Sequence, residues 1–133
     1  EVGDRMTASV GDSSWGSMSV MLQAVADLRR IAVVPHQAFW PQPKVESVMI
    51  RLDADEVRRR EVGDVPAFRA VVRTLWAHRR KMLRQNLRLG YPLASIEAVS
   101  RSTGIDLNRR PETLTVQEWI VLVRSVVAVV RRD

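Results

Sequence analysis

Apolar residues recur at helical spacing through the second half of this chain. Phe68, Val71, Val72, Leu75, Trp76, Met82 and Leu83 follow that period, behind Asp64 as an N-cap and Pro66 in the tolerant first turn, and Gly90 supplies a stop. The pattern predicts one long helix from Asp64 to Gly90. A second is predicted from about Pro92 to Ser102, with Leu93, Ile96 and Val99 on one face and Gly104 placed for a left-handed C-cap. A third begins at the capping box Thr115 to Glu118 and carries Trp119, Ile120, Val123, Val126, Val127 and Val130. Its valines would also suit a strand; the capping box decides for helix.

The first part has a different rhythm. Gly16 and Ser17 precede a helix predicted from about Met18 to Leu28, with Met21, Leu22 and Val25 facing inward. Arg30 to Val34 and Glu46 to Leu52 are short β-branched runs ended by turn signals, and both are expected as strands. Two strands do not make a stable sheet alone. They need partners, which fits an N-terminal half outside this chain, as do the missing initiator Met and the uncapped polar opening. Asp53 to Glu61 is a charged connector and the expected domain boundary, its carboxylates solvated beside arginines.

With 133 residues, 46% of them hydrophobic, the chain is one domain's worth and long enough to bury a core. Its net charge is +6, and 19 of its 21 cations are arginine. That balance suits a polyanionic partner, although arginine excess also accompanies a GC-rich genome. The charge is uneven. Arg69, Arg73, Arg79, Arg80, Lys81, Arg84 and Arg88 fall between Val65 and Ile96, a stretch without a single acid, and the remainder of the chain nets −1. On a helical wheel Arg69, Arg73, Arg80, Arg84 and Arg88 share one side, whereas Arg79 and Asn86 point into the apolar stripe. A solvated helix face usually carries i,i+4 acids for its arginines, so their lack tilts the ridge toward phosphate contact.

Other chemistry is thin. The absence of cysteine excludes disulfides and thiolate sites, and His36 and His78 are too few for a zinc site and lack the context of a general base. No apolar run reaches the ~18 residues of a membrane span, and the first residues are not a signal peptide. Gly11 to Gly16 reads as a turn rather than a phosphate loop. In the loop from Pro35 to Lys44, prolines stiffen the backbone around Phe39 and Trp40. Either ring can serve as a platform for a flat ligand or as a cover over the end of a sheet.

These residues carry a family resemblance. Val34-Pro35, Phe39, Pro41, Pro43-Lys44-Val45, Ser47 and Arg51-Leu52 resemble a late motif of the small-subunit ribosomal RNA adenine dimethyltransferases, the KsgA family. Upstream, Glu1-Val2, Arg5-Met6-Thr7-Ala8, Gly16 and Met18 to Met21 are similar to the family's preceding segment. Downstream, Arg79-Arg80-Lys81-Met82-Leu83-Arg84-Gln85-Asn86-Leu87 is similar to its Arg-Arg-Lys helix, and Gly104-Ile105-Asp106 with Arg110 to Thr115 to its last signature. Trp15 stands where the family usually has Tyr, and Trp76 and Trp119 replace Phe-like positions, aromatic for aromatic.

The resemblance implies an α+β fragment: residues 1–53 as the C-terminal part of a Rossmann-like S-adenosylmethionine-dependent methyltransferase domain, 54–63 as connector, and 64–133 as a small helical RNA-contacting domain. It implies S-adenosylmethionine as cofactor, bound before Glu1 and by no residue of this chain, with neither a metal nor a membrane involved. Phe39 would stack on the flipped target adenine, with Trp40 left as packing. Lys44, Arg69, Arg73, Arg79, Arg80, Lys81 and Arg84 would contact small-subunit rRNA in an immature, cytoplasmic small subunit. The alternative is a non-catalytic RNA-binding or ribosome-assembly module, because the sequence shows an RNA-facing helix and no cofactor site.

Overall fold

The computed structural model describes residues 2–132. Among these residues seven α-helices accompany one hairpin: α1 (Val2–Thr7), α2 (Ser17–Gln23), β1 (Ala26–Val34), β2 (Ser47–Ala54), α3 (Glu56–Val62), α4 (Val65–Trp76), α5 (Leu83–Arg88), α6 (Leu93–Thr103) and α7 (Val116–Arg132). Short 3-10 turns occupy His36–Ala38 and Pro111–Thr113. β1 and β2 pair antiparallel from Ala26 opposite Ala54 to Val34 opposite Ser47, with a register irregularity between Arg30 and Ala32.

The chain opens on a helix where the sequence predicts only a polar lead-in. α1 lies close over the hairpin, and a Cβ on Gly3 would sit 2.6 Å from Cγ2 of Val48, so glycine permits the approach. The helix expected from Met18 to Leu28 stops at Gln23. Val25 and Leu28 fit a helical period, but the Asp55 N–H donates to the Val25 carbonyl at 2.8 Å and Leu28 pairs with Leu52, so the ladder claims the segment. Both strands thereby exceed their expected ends. The connector is ordered as well: Asp55 caps α3 by accepting from the Arg58 N–H at 3.0 Å and pairs with the Arg58 guanidinium, rather than standing solvated.

The largest correction concerns the basic helix. It divides into α4 and α5 around the turn 77–82, and the reason is tertiary. The Leu83 and Arg84 N–H groups, which a continuing helix would bond internally, donate instead to the carbonyls of Arg109 and Leu107, each at 2.8 Å. Local caps behave as read. Asp64 accepts from the Ala67 N–H, Gly104 adopts φ 69°, and the Thr115–Glu118 box closes with bonds of 3.0 and 3.2 Å, making α7 a helix and not a strand. One apolar cluster runs from Trp15, Val20 and Ala24 through Phe68 and Leu83 to Trp119, joining residues on both sides of α3.

Candidate nucleic-acid interface

Dividing the helix redistributes the cations. Arg69 and Arg73 lie exposed on α4, Arg79, Arg80 and Lys81 project from the turn, and Arg84 and Arg88 lie on α5, so no continuous ridge exists. Arg79 points outward, with 61% of its side chain exposed, and forms an ion pair with Glu112 at 3.6 Å. The inward orientation expected of it depended on an unbroken helix. Arg84 is the reverse case. Its side chain is only 28% exposed and donates to Glu97 at 2.6 Å, an acid thirteen positions away that no i,i+4 rule detects. Arg69, Arg73, Arg80, Lys81 and Arg88 have no acidic partner among the described residues.

Asn86 fixes the turn from within. It is fully buried, as its inward position on the wheel predicts, and its Nδ2 donates to the His78 carbonyl at 3.1 Å. That carbonyl lies beyond the end of α4 and also accepts from the Lys81 N–H at 2.9 Å, so the side chain adds a second bond where the helical ladder has broken. Leu83 and Leu87 flank Asn86 in the core. The block from Arg79 to Leu87 is thus a cationic turn followed by its own anchor.

A second support comes from residues 107–118. Arg109 donates through Nη1 and Nη2 to both carboxylate oxygens of Glu118, the latter contact at 3.1 Å, through Nη2 to the Thr113 carbonyl at 2.7 Å, and through Nε to Thr113 Oγ1 at 3.3 Å. Glu118 also accepts from the Thr115 N–H at 3.0 Å. The Arg109 hydrogen bond, joined by the Thr115 backbone and Arg109's charge, holds the Glu118 carboxyl below the usual glutamate range, and the same bond raises Arg109. Because the Arg109 carbonyl accepts from Leu83, the exposed Arg110 is carried to the edge of the basic turn. Sequence reasoning did not assign Arg110 to this face; its neighbours in space are about thirty positions away in sequence. The one available signal was its place beside Pro111 in the last motif.

Phe39, Trp40 and Lys44 lie elsewhere, in the loop joining β1 to β2. The Val25–Asp55 contact puts the opposite end of the hairpin beside α3, so the loop stands off by the length of β1, ~27 Å for eight strand steps. Phe39 is 42% exposed and Trp40 95% exposed. Trp40 packs against nothing that would justify a structural role, contrary to expectation, and Phe39 presents part of its ring to solvent. Lys44 is exposed with no ion pair among the described residues. Among those residues no cluster of three or more His, Asp or Glu could hold a metal, and no helix is long and apolar enough to cross a membrane.

Comparison with known proteins gives this geometry a context. The family model described as ribosomal RNA adenine dimethylase matches residues 1–127. Among similar proteins, ribosomal RNA small subunit methyltransferase A of Syntrophotalea carbinolica is 41% identical over 120 residues, covering 90% of this chain and 46% of that protein. The protein of the same name from Anaeromyxobacter dehalogenans is 41% identical over 132 residues, covering 94% of this chain and 44% of its own length. The chain therefore spans somewhat under half of these relatives. Two solved structures share the α+β fold: a dimethyladenosine transferase from Plasmodium falciparum, with a TM-score of 0.77 at 18% identity over 91% of this chain and 52% of that one, and a 23S rRNA methyltransferase, with a TM-score of 0.56 at 19% identity over 94% and 50%. With a family model matched over nearly every residue, this chain belongs to the ribosomal RNA adenine dimethylase family.

Proposed function

We propose that this chain is the C-terminal part of an S-adenosylmethionine-dependent enzyme that dimethylates adjacent adenosines near the 3′ end of small-subunit rRNA, on immature cytoplasmic subunits. In this reading residues 1–53 complete the catalytic domain, 54–63 connect, and 64–133 contact RNA. The observation that carries the RNA assignment is the turn 79–81, lifted off the helix axis beside Arg110, with Arg80 and Lys81 free of acidic partners among the described residues. Phosphate neutralisation by such groups supplies affinity without sequence information, and base contacts supply the rest. Lys44, Arg69, Arg73, Arg79, Arg80, Lys81 and Arg84 are the proposed contacts, joined by Arg110. Arg79 and Arg84 must first exchange Glu112 and Glu97 for phosphate. Phe39, part-exposed at the loop, is the proposed platform for the flipped adenine.

Two observations support a site for the adenosyl cofactor in the part of the relatives that this chain does not match. Neither strand leads through a glycine-rich loop into a helix, and Gly11 and Gly16 lie between α1 and the seven-residue α2. The residues that hold the cofactor belong, in this proposal, to that portion of the relatives. The test is a pair of variants in the complete enzyme. Phe39→Ala should lose methyl transfer far more than RNA affinity, since stacking on one base is worth ~1 to 3 kcal/mol while phosphate contacts dominate binding. Arg80→Gln should weaken binding and flatten the log–log salt slope by about one unit, or somewhat less on single strands. Unchanged slopes return the turn to a solvated surface.

A further inference from the structure

The basic turn is only six residues long and joins α4 to α5, yet it is tied to α7, the longest helix among the described residues. Glu118 belongs to the first turn of α7, whose Trp119 and Ile120 are fully buried in the core, so its carboxylate is fixed from below. Arg109 has Glu118, the Thr113 carbonyl and the Thr113 hydroxyl on its guanidinium, which leaves it little to offer a phosphate. Its own carbonyl, together with that of Leu107, receives the first two N–H groups of α5, the residues that immediately follow the turn. Glu112, on the same 107–118 segment, reaches Arg79. The path from a rigid helix to the basic turn is continuous: α7, Glu118, Arg109, Leu83.

We infer that the Arg109–Glu118 pair is a positioning device, setting where Arg79, Arg80 and Lys81 stand against the RNA without touching it. The inference rests on the reading of that turn as a phosphate contact. It makes a prediction that simple electrostatics opposes. Removing an acid from a basic face ought to tighten RNA binding, because the net charge rises by one. Removing this acid should weaken it, because the 107–109 carbonyls that break the helix at the right place lose their anchor.

The experiment measures binding of the complete enzyme to a transcript of the small-subunit rRNA 3′ end at several salt concentrations, below the melting temperature of each variant. Glu118→Gln is expected to weaken affinity about tenfold and to flatten the salt slope by about two units, more than any single lost contact gives. Glu118→Asp keeps the charge but shortens the reach, and should weaken binding several-fold with no change in net charge, a second route should the glutamine variant not fold. In an Arg80→Gln/Lys81→Gln background, Glu118→Gln should add less than about twofold, since residues acting through one another are non-additive. Tighter or unchanged binding in Glu118→Gln, or full additivity in the combined variant, overturns the inference alone. Unchanged affinity and slope in Arg80→Gln/Lys81→Gln overturns the phosphate reading, and the inference with it.

Discussion

The basic turn and the proline-rich loop are both irregular, both exposed and both rich in candidate contacts, but they are held in opposite ways. The turn 77–82 is held by its neighbour Asn86 and by groups remote in sequence: Glu112, which pairs with Arg79, and the Leu107 and Arg109 carbonyls, which seat the start of α5 directly after it. The loop 35–46 is shaped by its own backbone, with Ala38 donating to Pro35 and Phe39 to His36, and by three prolines. The hairpin that carries the loop exposes Ile31, Val33, Met49 and Leu52 by half or more, whereas Leu83, Leu87 and Trp119 behind the turn are buried. A turn built by tertiary contacts is a finished surface whose geometry mutation can disturb from afar. A loop built locally keeps its shape while its surroundings change.

The first way to break this comparison is to remove the floor beneath the turn. Trp119 is fully buried and stacks on Trp76, with ring centroids 5.4 Å apart, at the end of α4 where the turn begins. Trp119→Ala should cost ~3 to 5 kcal/mol, seen as a lowered thermal midpoint, and should abolish protection of the turn amides in hydrogen exchange while leaving those of the β1–β2 ladder comparatively intact. Equal loss in both regions would mean that loop and turn share one cooperative unit.

Asn86 gives the next effect. Asn86→Ala removes one of the two donors on the His78 carbonyl, which keeps the Lys81 N–H at 2.9 Å, so the loss stays within the ~1 to 3 kcal/mol of an unsatisfied buried group, and it also removes Oδ1, which is buried with no hydrogen-bond partner of its own. The net loss should therefore sit at the low end of that range. Its signature is local: faster cleavage by a trypsin-like protease after Arg79, Arg80 and Lys81, with no change in the loop.

A smaller effect follows from Glu118. Its carboxyl is held low by Arg109 in the folded chain, so the unfolded state binds the proton more readily and stability falls as acid is added. The contribution is complete above the ordinary glutamate range of about 4 to 4.5 and fades as pH drops through the lower folded value. The difference in melting temperature between the native chain and Glu118→Gln should be constant near neutrality and close under acid. A gap that does not narrow would place the pair outside the stability of this region.

How much of this was legible depended on how local the cause was. Asp64, Gly104 and the Thr115–Glu118 box act within one turn of helix and read correctly. The break at 77–82 did not, because its cause is two carbonyls more than twenty positions downstream, and the apolar period of Met82 and Leu83 continues across it as if nothing intervened. Arg79 was misplaced by the same error, because it stands in the break and on no helix face, whereas Arg84 lies on α5 and is drawn in by Glu97, an acid thirteen positions on. Asn86 survived because it sits within α5 itself. Leu28 was lost to the strand for the corresponding reason, since its partner Leu52 lies on the far arm of the hairpin.

The smallest expected effect is the sharpest test of the loop. Trp40 carries a large apolar ring, and from sequence its loss should expose whatever it covers; in the folded chain it is 95% exposed and covers nothing. Trp40→Ala in this chain should therefore shift stability by no more than ~0.5 kcal/mol, the range of ordinary surface substitutions. The fluorescence of the chain supplies an independent check. Trp15 and Trp119 are buried and Trp76 is half-buried, so the fraction of emission open to acrylamide quenching should fall sharply in Trp40→Ala. A stability loss of several kcal/mol, with quenching unchanged, would mean that the ring folds back onto the hairpin, and the contrast between a locally shaped loop and a tertiary turn would no longer hold.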